Sequence, residues 1–315
     1  MFLQILLLIL GFGLLIKGAD WMVNGASALA RKYNISNLAI GLTVVAFGTS
    51  APELVVNAFA SYQNHHQIVF GNIIGSNNIN LFVILGIAGL ISPLFVQSST
   101  VWKEIPISFF AIVVLFFLVN GFLFTDQLIL TRIHGLILLV LFGVFLFYVY
   151  TQLKNETVIQ LVEEKHYTTL KIWVLIIVGL SLLVIGGKLI VNNAVLLAKT
   201  MGISETIISL TIVALGTSLP ELATSVIAAL KKNNDIAVGN IIGSNIFNIF
   251  FILGISSLIR PVVYDPVFNK DLYLLAAGTI ILFLFMFTGI KKKLDRWEAG
   301  VLLLIYIVYT IYLIN

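Results

Sequence analysis

The sequence predicts an all-α polytopic membrane protein with ten transmembrane helices in two inverted five-helix repeats. Composition is the first ground. Of 315 residues, 60% are hydrophobic and 10% charged, with a mean hydropathy of +1.08, whereas water-soluble domains are nearer half apolar and a quarter charged. The second is a set of ten apolar runs, at 2–30, 39–60, 68–91, 105–124, 128–150, 172–198, 207–230, 236–258, 272–287 and 297–314, long enough to cross about 30 Å of hydrocarbon. The third is a motif that returns: Gly48-Thr49-Ser50-Ala51-Pro52-Glu53 is echoed by Gly216-Thr217-Ser218-Leu219-Pro220-Glu221.

The first run has no basic leader or small-residue cleavage site and continues past Ala19 and Trp21, so a retained helix is expected rather than a cleaved signal. Lys17 and Asp20, three residues apart on it, are most simply an ion pair. The second and third runs carry Glu53 and the segment Gly71-Asn72-Ile73-Ile74-Gly75-Ser76-Asn77; Asn64, His65 and His66 between them read as a solvated turn. The fourth and fifth complete the first repeat, residues 1–151, with phenylalanines over 109–124 facing lipid or core. A polar connection at 152–171, holding Glu156, Glu163, Glu164 and Lys165, reads as a short cytoplasmic linker. The second repeat, 172–315, carries Glu221 in its second run and Gly239-Asn240-Ile241-Ile242-Gly243-Ser244-Asn245 in its third; its phenylalanines at 283–287 again suit packing or lipid.

The copies share one offset of 168 residues, the separation of Glu53 from Glu221, and it also relates Ile35-Ser36 to Ile203-Ser204 and Leu42-Thr43 to Leu210-Thr211. This is duplication without slippage. Five helices separate the copies, and an odd number reverses the sense of crossing, which gives the inverted repeat common among secondary transporters. With the N-terminus outside, twelve of the eighteen lysines and arginines fall on the inner side and four near the outer; basic loops favour the cytoplasm, so both termini are expected outside. The net charge of +4 then reflects loop retention and implies no nucleic acid. The absence of cysteine excludes disulfides, thiolate metal sites and cysteine nucleophiles.

A glutamate inside a membrane span costs at least about 2.5 kcal/mol on insertion scales, so two such acids call for a partner, and a cation is the natural one. Pro52 and Pro220 lack an amide proton and clash with the carbonyls of Gly48 and Gly216. Both helices should bend or open there, making the carbonyls of Ala46, Phe47, Ala214 and Leu215 candidate ligands. Thr49 and Ser50 precede Glu53 by about one turn, as Thr217 and Ser218 precede Glu221. Opposite them, Gly71 and Gly75, like Gly239 and Gly243, permit close helix approach, while Ser76 and Asn80, like Ser244 and Asn248, share a face. Asn57, one turn past Glu53, extends the polar path. Carboxylate, hydroxyl, amide and carbonyl oxygens without a soft ligand suit Na⁺ or Ca²⁺ rather than copper or zinc. A packing role could account for one such acid, but it accounts poorly for acids, prolines and hydroxyl pairs that all repeat at one spacing.

Gly-Thr-Ser-x-Pro-Glu followed by Gly-Asn-x-x-Gly-Ser-Asn, twice in a ten-helix chain, resembles the paired alpha repeats of the sodium/calcium exchanger family, within the wider cation/calcium antiporter superfamily. The likeness extends over essentially the whole chain. It implies ion sites on the second, third, seventh and eighth helices, with long tilted first and sixth helices sliding across them to alternate access. It further implies Glu53 and Glu221 as central calcium and sodium ligands. Thr49, Ser50, Thr217, Ser218, Ser76, Ser244 and the carbonyls of Ala46 and Ala214 would complete the sites, with Asn80 lining the middle. Many prokaryotic and potassium-dependent relatives carry Asp where this chain has Asn248, whereas potassium-independent animal exchangers carry Asn. The large calcium-sensing insert of the animal proteins is absent from the sequence.

The expected activity is therefore electrogenic, potassium-independent exchange of Na⁺ for Ca²⁺ across a prokaryotic plasma (inner) membrane, by a lipid-embedded monomer with no prosthetic group. Proton/calcium exchange is the alternative on the same carboxylates. An intramembrane hydrolase with Glu53 and Glu221 as acid and base is a poorer fit, because acid and base roles need dissimilar surroundings and these residues are duplicated.

Overall fold

The computed structural model describes residues 2–121, 128–155, 167–200, 214–289 and 291–314. The chain is helical almost throughout, as a bilayer demands of a backbone that must satisfy its own hydrogen bonds. Helix α1 (Phe2–Lys32) ends with Arg31 and Lys32 in its last turn, where cations complement the helix dipole. Asn34 then turns left-handed (φ 51°) and the Ile35 amide bonds back to Ala30 O at 2.8 Å, a common helix stop. Ser36 starts α2 (Asn37–Thr49) by accepting the Ala39 amide at 3.1 Å.

Between α2 and α3 (Ala51–Tyr62) the axis bends by 48°. The hinge is Ser50 (φ −83°, ψ 4°), and Pro52 stands in the first turn of α3, where a missing amide proton does least harm. The expected opening is therefore present. Helices α4 (His66–Ile91), α5 (Thr100–Val119), α6 (Arg132–Asn155) and α7 (Thr169–Thr200) follow. After α8 (Ala214–Thr217), the hinge Ser218 (φ −88°, ψ 5°) leads into α9 (Leu219–Leu230), then α10 (Asn234–Ile259), α11 (Asn269–Phe285) and α12 (Arg296–Ile314). Two short antiparallel pairs brace the loops: β1 (Leu94–Phe95) with β4 (Lys293–Leu294), and β2 (Ile129–Leu130) with β3 (Val262–Val263).

Among the described residues, eight helices are long and apolar enough to cross a membrane, and the bent α2–α3 pair makes a ninth. The tenth expected span, 207–230, lies partly in 201–213, outside the described residues, as do Ile203, Ser204, Leu210, Thr211 and the linker acids Glu156, Glu163 and Glu164 with Lys165. Two spans differ most from expectation. The fourth span runs from Thr100 to Val119 rather than 105–124, since Gly121 turns left-handed (φ 76°). The fifth begins at Arg132 rather than 128, because Ile129 and Leu130 are held in the strand pair.

The offset of 168 relating the sequence motifs also relates the elements: α3 to α9, α4 to α10, β1 to β3, and a π-helical stretch at Ile79–Ile84 to one at Phe247–Ile252. Helices α4 and α10 are the most buried spans, at 78% and 94% of their apolar windows, so they form the centre. Helices α1 and α7 lie together. A Cβ on Gly11 would meet Gly186 O at 3.1 Å, one on Gly18 would meet Gly179 O at 2.7 Å, and one on Gly25 would meet Ile176 N at 3.1 Å. Rising numbers on one helix meet falling numbers on the other, so the pair is antiparallel. Glycine is what lets the backbones touch. The expected Lys17–Asp20 pair is present at 3.6 Å, but Lys231, from the α9–α10 loop, reaches Asp20 at 2.6 Å and Asn24 at 2.7 Å.

Gly18→Ala should lower the thermal midpoint of the detergent-solubilised protein, since its methyl meets backbone and overpacking costs about 1–3 kcal/mol. Gly13→Ala on the same helix, where a Cβ meets nothing within 4 Å among the described residues, should leave it unchanged. Equal midpoints for the two variants would contradict the close α1–α7 contact.

Candidate functional site

A helix broken inside an apolar slab creates a new N-terminus whose first amides have no intrahelical partner and whose dipole favours negative charge. Glu53 and Glu221 occupy the first turns of α3 and α9, directly after the two breaks. Each is 1% exposed. Helix α2 reaches α10 through glycines: a Cβ on Gly239 would meet Leu38 O at 3.0 Å, and one on Gly243 would meet Leu42 O at 2.9 Å. The partners that the same spacing assigns to Gly71 and Gly75 fall mostly within 201–213, outside the described residues.

That contact brings the predicted site residues of the two copies together. Ser50 Oγ lies 3.0 Å from both Glu221 Oε1 and Ser244 Oγ. Glu53 lies within electrostatic reach of Glu221, with Thr217 beside it, yet neither of its oxygens has a hydrogen-bond partner of proper geometry among the described residues. Ser76, Ser218, Asn80 and Asn248 are all buried. Ala46 O accepts the Ser50 amide at 3.0 Å and has the Thr49 hydroxyl at 3.3 Å. Ala214 opens α8 at the edge of the described residues.

Sequence reasoning missed a surrounding set of amides. Thr49 donates to Asn240 Oδ1 at 3.0 Å, and Asn240 Nδ2 donates to Ser225 Oγ at 2.9 Å and Glu221 O at 3.4 Å. At the same offset, Thr217 donates to Asn72 Oδ1 at 3.3 Å, and Asn72 Nδ2 to Asn57 Oδ1 at 2.8 Å. Asn80 Nδ2 donates to Asn245 Oδ1 at 3.0 Å, while Asn248 Nδ2 donates to Asn77 Oδ1 at 2.9 Å. Asn72, Asn77, Asn240 and Asn245 all stood inside the repeated motif, which was the available signal, but tertiary pairing was needed to give them partners.

What remains is chemically uniform. Glu53 Oε1 and Oε2, Glu221 Oε2, Ser76 Oγ, Ser218 Oγ, Asn80 Oδ1 and Asn248 Oδ1 are buried oxygens without hydrogen-bond partners among the described residues, and such atoms demand an explanation. A hard cation supplies one, because it takes several oxygen donors. No cluster of three or more acidic, histidine or cysteine side chains suited to a metal occurs among the described residues, so here two carboxylates are supplemented by neutral oxygens. His65 and His66 instead line a surface cavity of about 630 Å³ with Asp265.

Comparison with known proteins gives a consistent result. Residues 3–151 and 171–315 match the family model described as sodium/calcium exchanger protein. CaxA of Alkalimonas amylolytica is 39% identical over 312 residues, covering 96% of this chain and 95% of its own. The sodium/calcium exchanger MaX1 of Methanosarcina acetivorans is 33% identical, covering 98% and 97%. A solved structure of the sodium-calcium exchanger NCX_Mj superposes with a TM-score of 0.84 at 33% identity, covering 99% of each chain.

Ser50→Ala should destabilise the purified protein by about 1–3 kcal/mol, the range for leaving a buried acceptor unpaired, because Glu221 Oε1 loses its donor. Ser218→Ala, whose hydroxyl has no partner, should stay within about 0.5 kcal/mol of the parent. Thermal unfolding in detergent without added sodium or calcium measures both, and the reverse order would contradict the hydrogen bonding described.

Proposed function

The chain belongs to the sodium/calcium exchanger family, and from that premise we propose that this cation/calcium antiporter exchanges Na⁺ for Ca²⁺ by alternating access, with Glu53 and Glu221 at the centre of the ion site. The carrying observation is the pair of buried carboxylates at two helix breaks, with Ser50 of the first break bonded to Glu221 of the second and unpartnered oxygens around them. Thr49, Ser50, Thr217, Ser218, Ser76, Ser244, Asn80, Asn248 and the carbonyls of Ala46 and Ala214 supply the remaining ligands. Support for an inverted arrangement of ten spans comes from the antiparallel α1 and α7 and from the element boundaries repeated at one offset. Both termini then lie outside the cell membrane, and the 152–171 linker inside.

Sodium is favoured over protons as the counter-ion by the neutral oxygens. A proton needs only a carboxylate, whereas a dehydrated Na⁺ needs several hydroxyl, amide or carbonyl donors, and these are what the site adds. Two carboxylates balance one Ca²⁺ or two Na⁺. A third Na⁺, implied by the family resemblance, carries one net charge across, and membrane potential then weighs on the cycle by about 2.3 kcal/mol per 100 mV. Loaded protein crosses readily because its carboxylates are neutralised. Empty protein does not, since two bare carboxylates would have to pass an apolar barrier, and this difference couples the two fluxes. Asn248 adds no third carboxylate, which fits potassium-independent exchange.

In proteoliposomes, Glu53→Gln and Glu221→Gln should each reduce sodium-driven calcium uptake roughly a hundredfold or more, from the about 3–5 kcal/mol lost when one partner of a buried charge pair is removed, without preventing insertion. Normal uptake by either variant would remove that residue from the ligand set. For the parent protein, an outward sodium gradient should drive uptake where an equal pH gradient does not. An inside-negative clamped potential should change its rate; if only the pH gradient works, the counter-ion is the proton.

A further inference from the structure

Four hydrogen-bonded chains surround the two carboxylates, and each begins on a backbone carbonyl. A carbonyl can only accept, so it fixes which end of the neighbouring amide faces it. Val69 O receives Asn57 Nδ2 at 3.2 Å. Asn57 must then present Oδ1 to Asn72, which presents its own Oδ1 to Thr217, and Thr217 has no role left except donor. Glu221 O receives Asn240 Nδ2, so Asn240 Oδ1 faces Thr49 and takes its proton. Asn245 O receives Asn77 Nδ2 at 3.2 Å, and Asn77 O receives Asn245 Nδ2 at 3.4 Å. Their Oδ1 atoms therefore accept from Asn248 and Asn80, whose own Oδ1 atoms stay unpartnered.

We propose that Asn57, Asn72, Asn77, Asn240 and Asn245 are positioning residues that set the polarity of the ion cage: each relay draws a hydrogen outward and turns the oxygen lone pairs of Thr49, Thr217, Asn80 and Asn248 toward the cage. The proposal rests on the reading that these oxygens hold the transported cations. Thr49 shows what is at stake. Its single proton has several acceptors within reach, Asn240 Oδ1 at 3.0 Å, Val45 O at 3.1 Å and Ala46 O at 3.3 Å, with the Glu221 carboxylate beside it. While Asn240 holds it, the helix carbonyls keep their lone pairs; without Asn240 the proton turns to Val45 O or Ala46 O on its own helix. The lone pairs of the hydroxyl are then no longer held toward the cage, which weakens the site for a cation. No charge is needed for this control, so the amides orient the site without altering its balance of two carboxylates.

The test is a double-mutant cycle on the full-length protein in proteoliposomes, reading the Na⁺ concentration that half-saturates exchange and the maximal rate. Asn240→Ala should raise the half-saturating Na⁺ concentration roughly 2- to 10-fold, the scale of one neutral hydrogen bond, with the maximal rate retained. In a Thr49→Ala background the same change should cause no further rise, because no hydroxyl remains to be oriented. A rise equally large in both backgrounds, or a lowered maximal rate with unchanged half-saturation, would overturn the positioning role while leaving Thr49 a ligand. No effect of Thr49→Ala alone would overturn the ligand reading and the relay with it. Should Asn240→Ala fail to insert, the equivalent cycle on Asn72 and Thr217 decides by the same criteria.

Discussion

The rest of the structure depends on one constraint: two carboxylates sit in the apolar interior with no lysine or arginine paired to them among the described residues. Among the described residues the ion pairs lie elsewhere, at Asp20 with Lys17 and Lys231 and at Lys293 with Asp295. Uncompensated charge at such depth is expensive, and what the fold supplies instead is backbone. Breaking α2 from α3 and α8 from α9 places each acid in the first turn of a new helix, where dipole and orphan amides favour the negative form. Each break sacrifices helical continuity in turn. That is tolerable only where neighbouring protein re-satisfies the freed groups, which explains why the breaks lie against α10 and α4 rather than lipid.

Small residues follow from the same constraint. For α2 to bring its hinge to Ser244 and Glu221, its backbone must lie almost on that of α10, and Gly41, Gly239 and Gly243 permit this. The peripheral α1 and α7 meet each other through Gly11, Gly18, Gly179 and Gly186. A tie at Lys231 and Asp20, with Asn233 donating to Ser27 at 2.8 Å, then fastens α1 to the α9–α10 loop. The π-helical stretches at Ile79–Ile84 and Phe247–Ile252 contain Asn80 and Asn248. Such a local widening shifts the side chains that follow, and it recurs at functional sites in other proteins.

Much of this was legible in the residues. Pro52 and Pro220 announced the breaks, the constant offset announced matching halves, and Gly239 and Gly243 announced close approach. The π stretches were not legible, because a single asparagine in each, Asn80 or Asn248, stands among apolar residues and leaves no periodicity for one inserted residue to disturb. Asp20 was assigned to Lys17, three positions away, because a partner 211 residues further on has no local signature. The outer phenylalanines gave no clue that Trp102 packs edge-on to Phe283 and Phe287. Asn72 and Asn240 were visible as motif letters; that their amides point the way they do is decided by a carbonyl on another turn or another helix.

Neutral amides at the centre make physical sense under the proposed exchange. A third carboxylate at Asn248 would also offer oxygen to a cation, but it would leave the calcium-loaded site with one surplus negative charge, and that charge would meet the same apolar barrier as the empty protein. Two acids and several oriented dipoles avoid this, since an amide turned by its neighbours contributes an acceptor without net charge. Orientation must then be fixed, because a freely turning amide presents hydrogens to the ion as readily as oxygen. Asn77 and Asn245 fix it by bonding each other's backbone carbonyls, one from each copy of the repeat. The duplication therefore does more than double the carboxylates: it lets each half hold the other's Asn80 or Asn248 in register, and neither half alone could form that cross-brace.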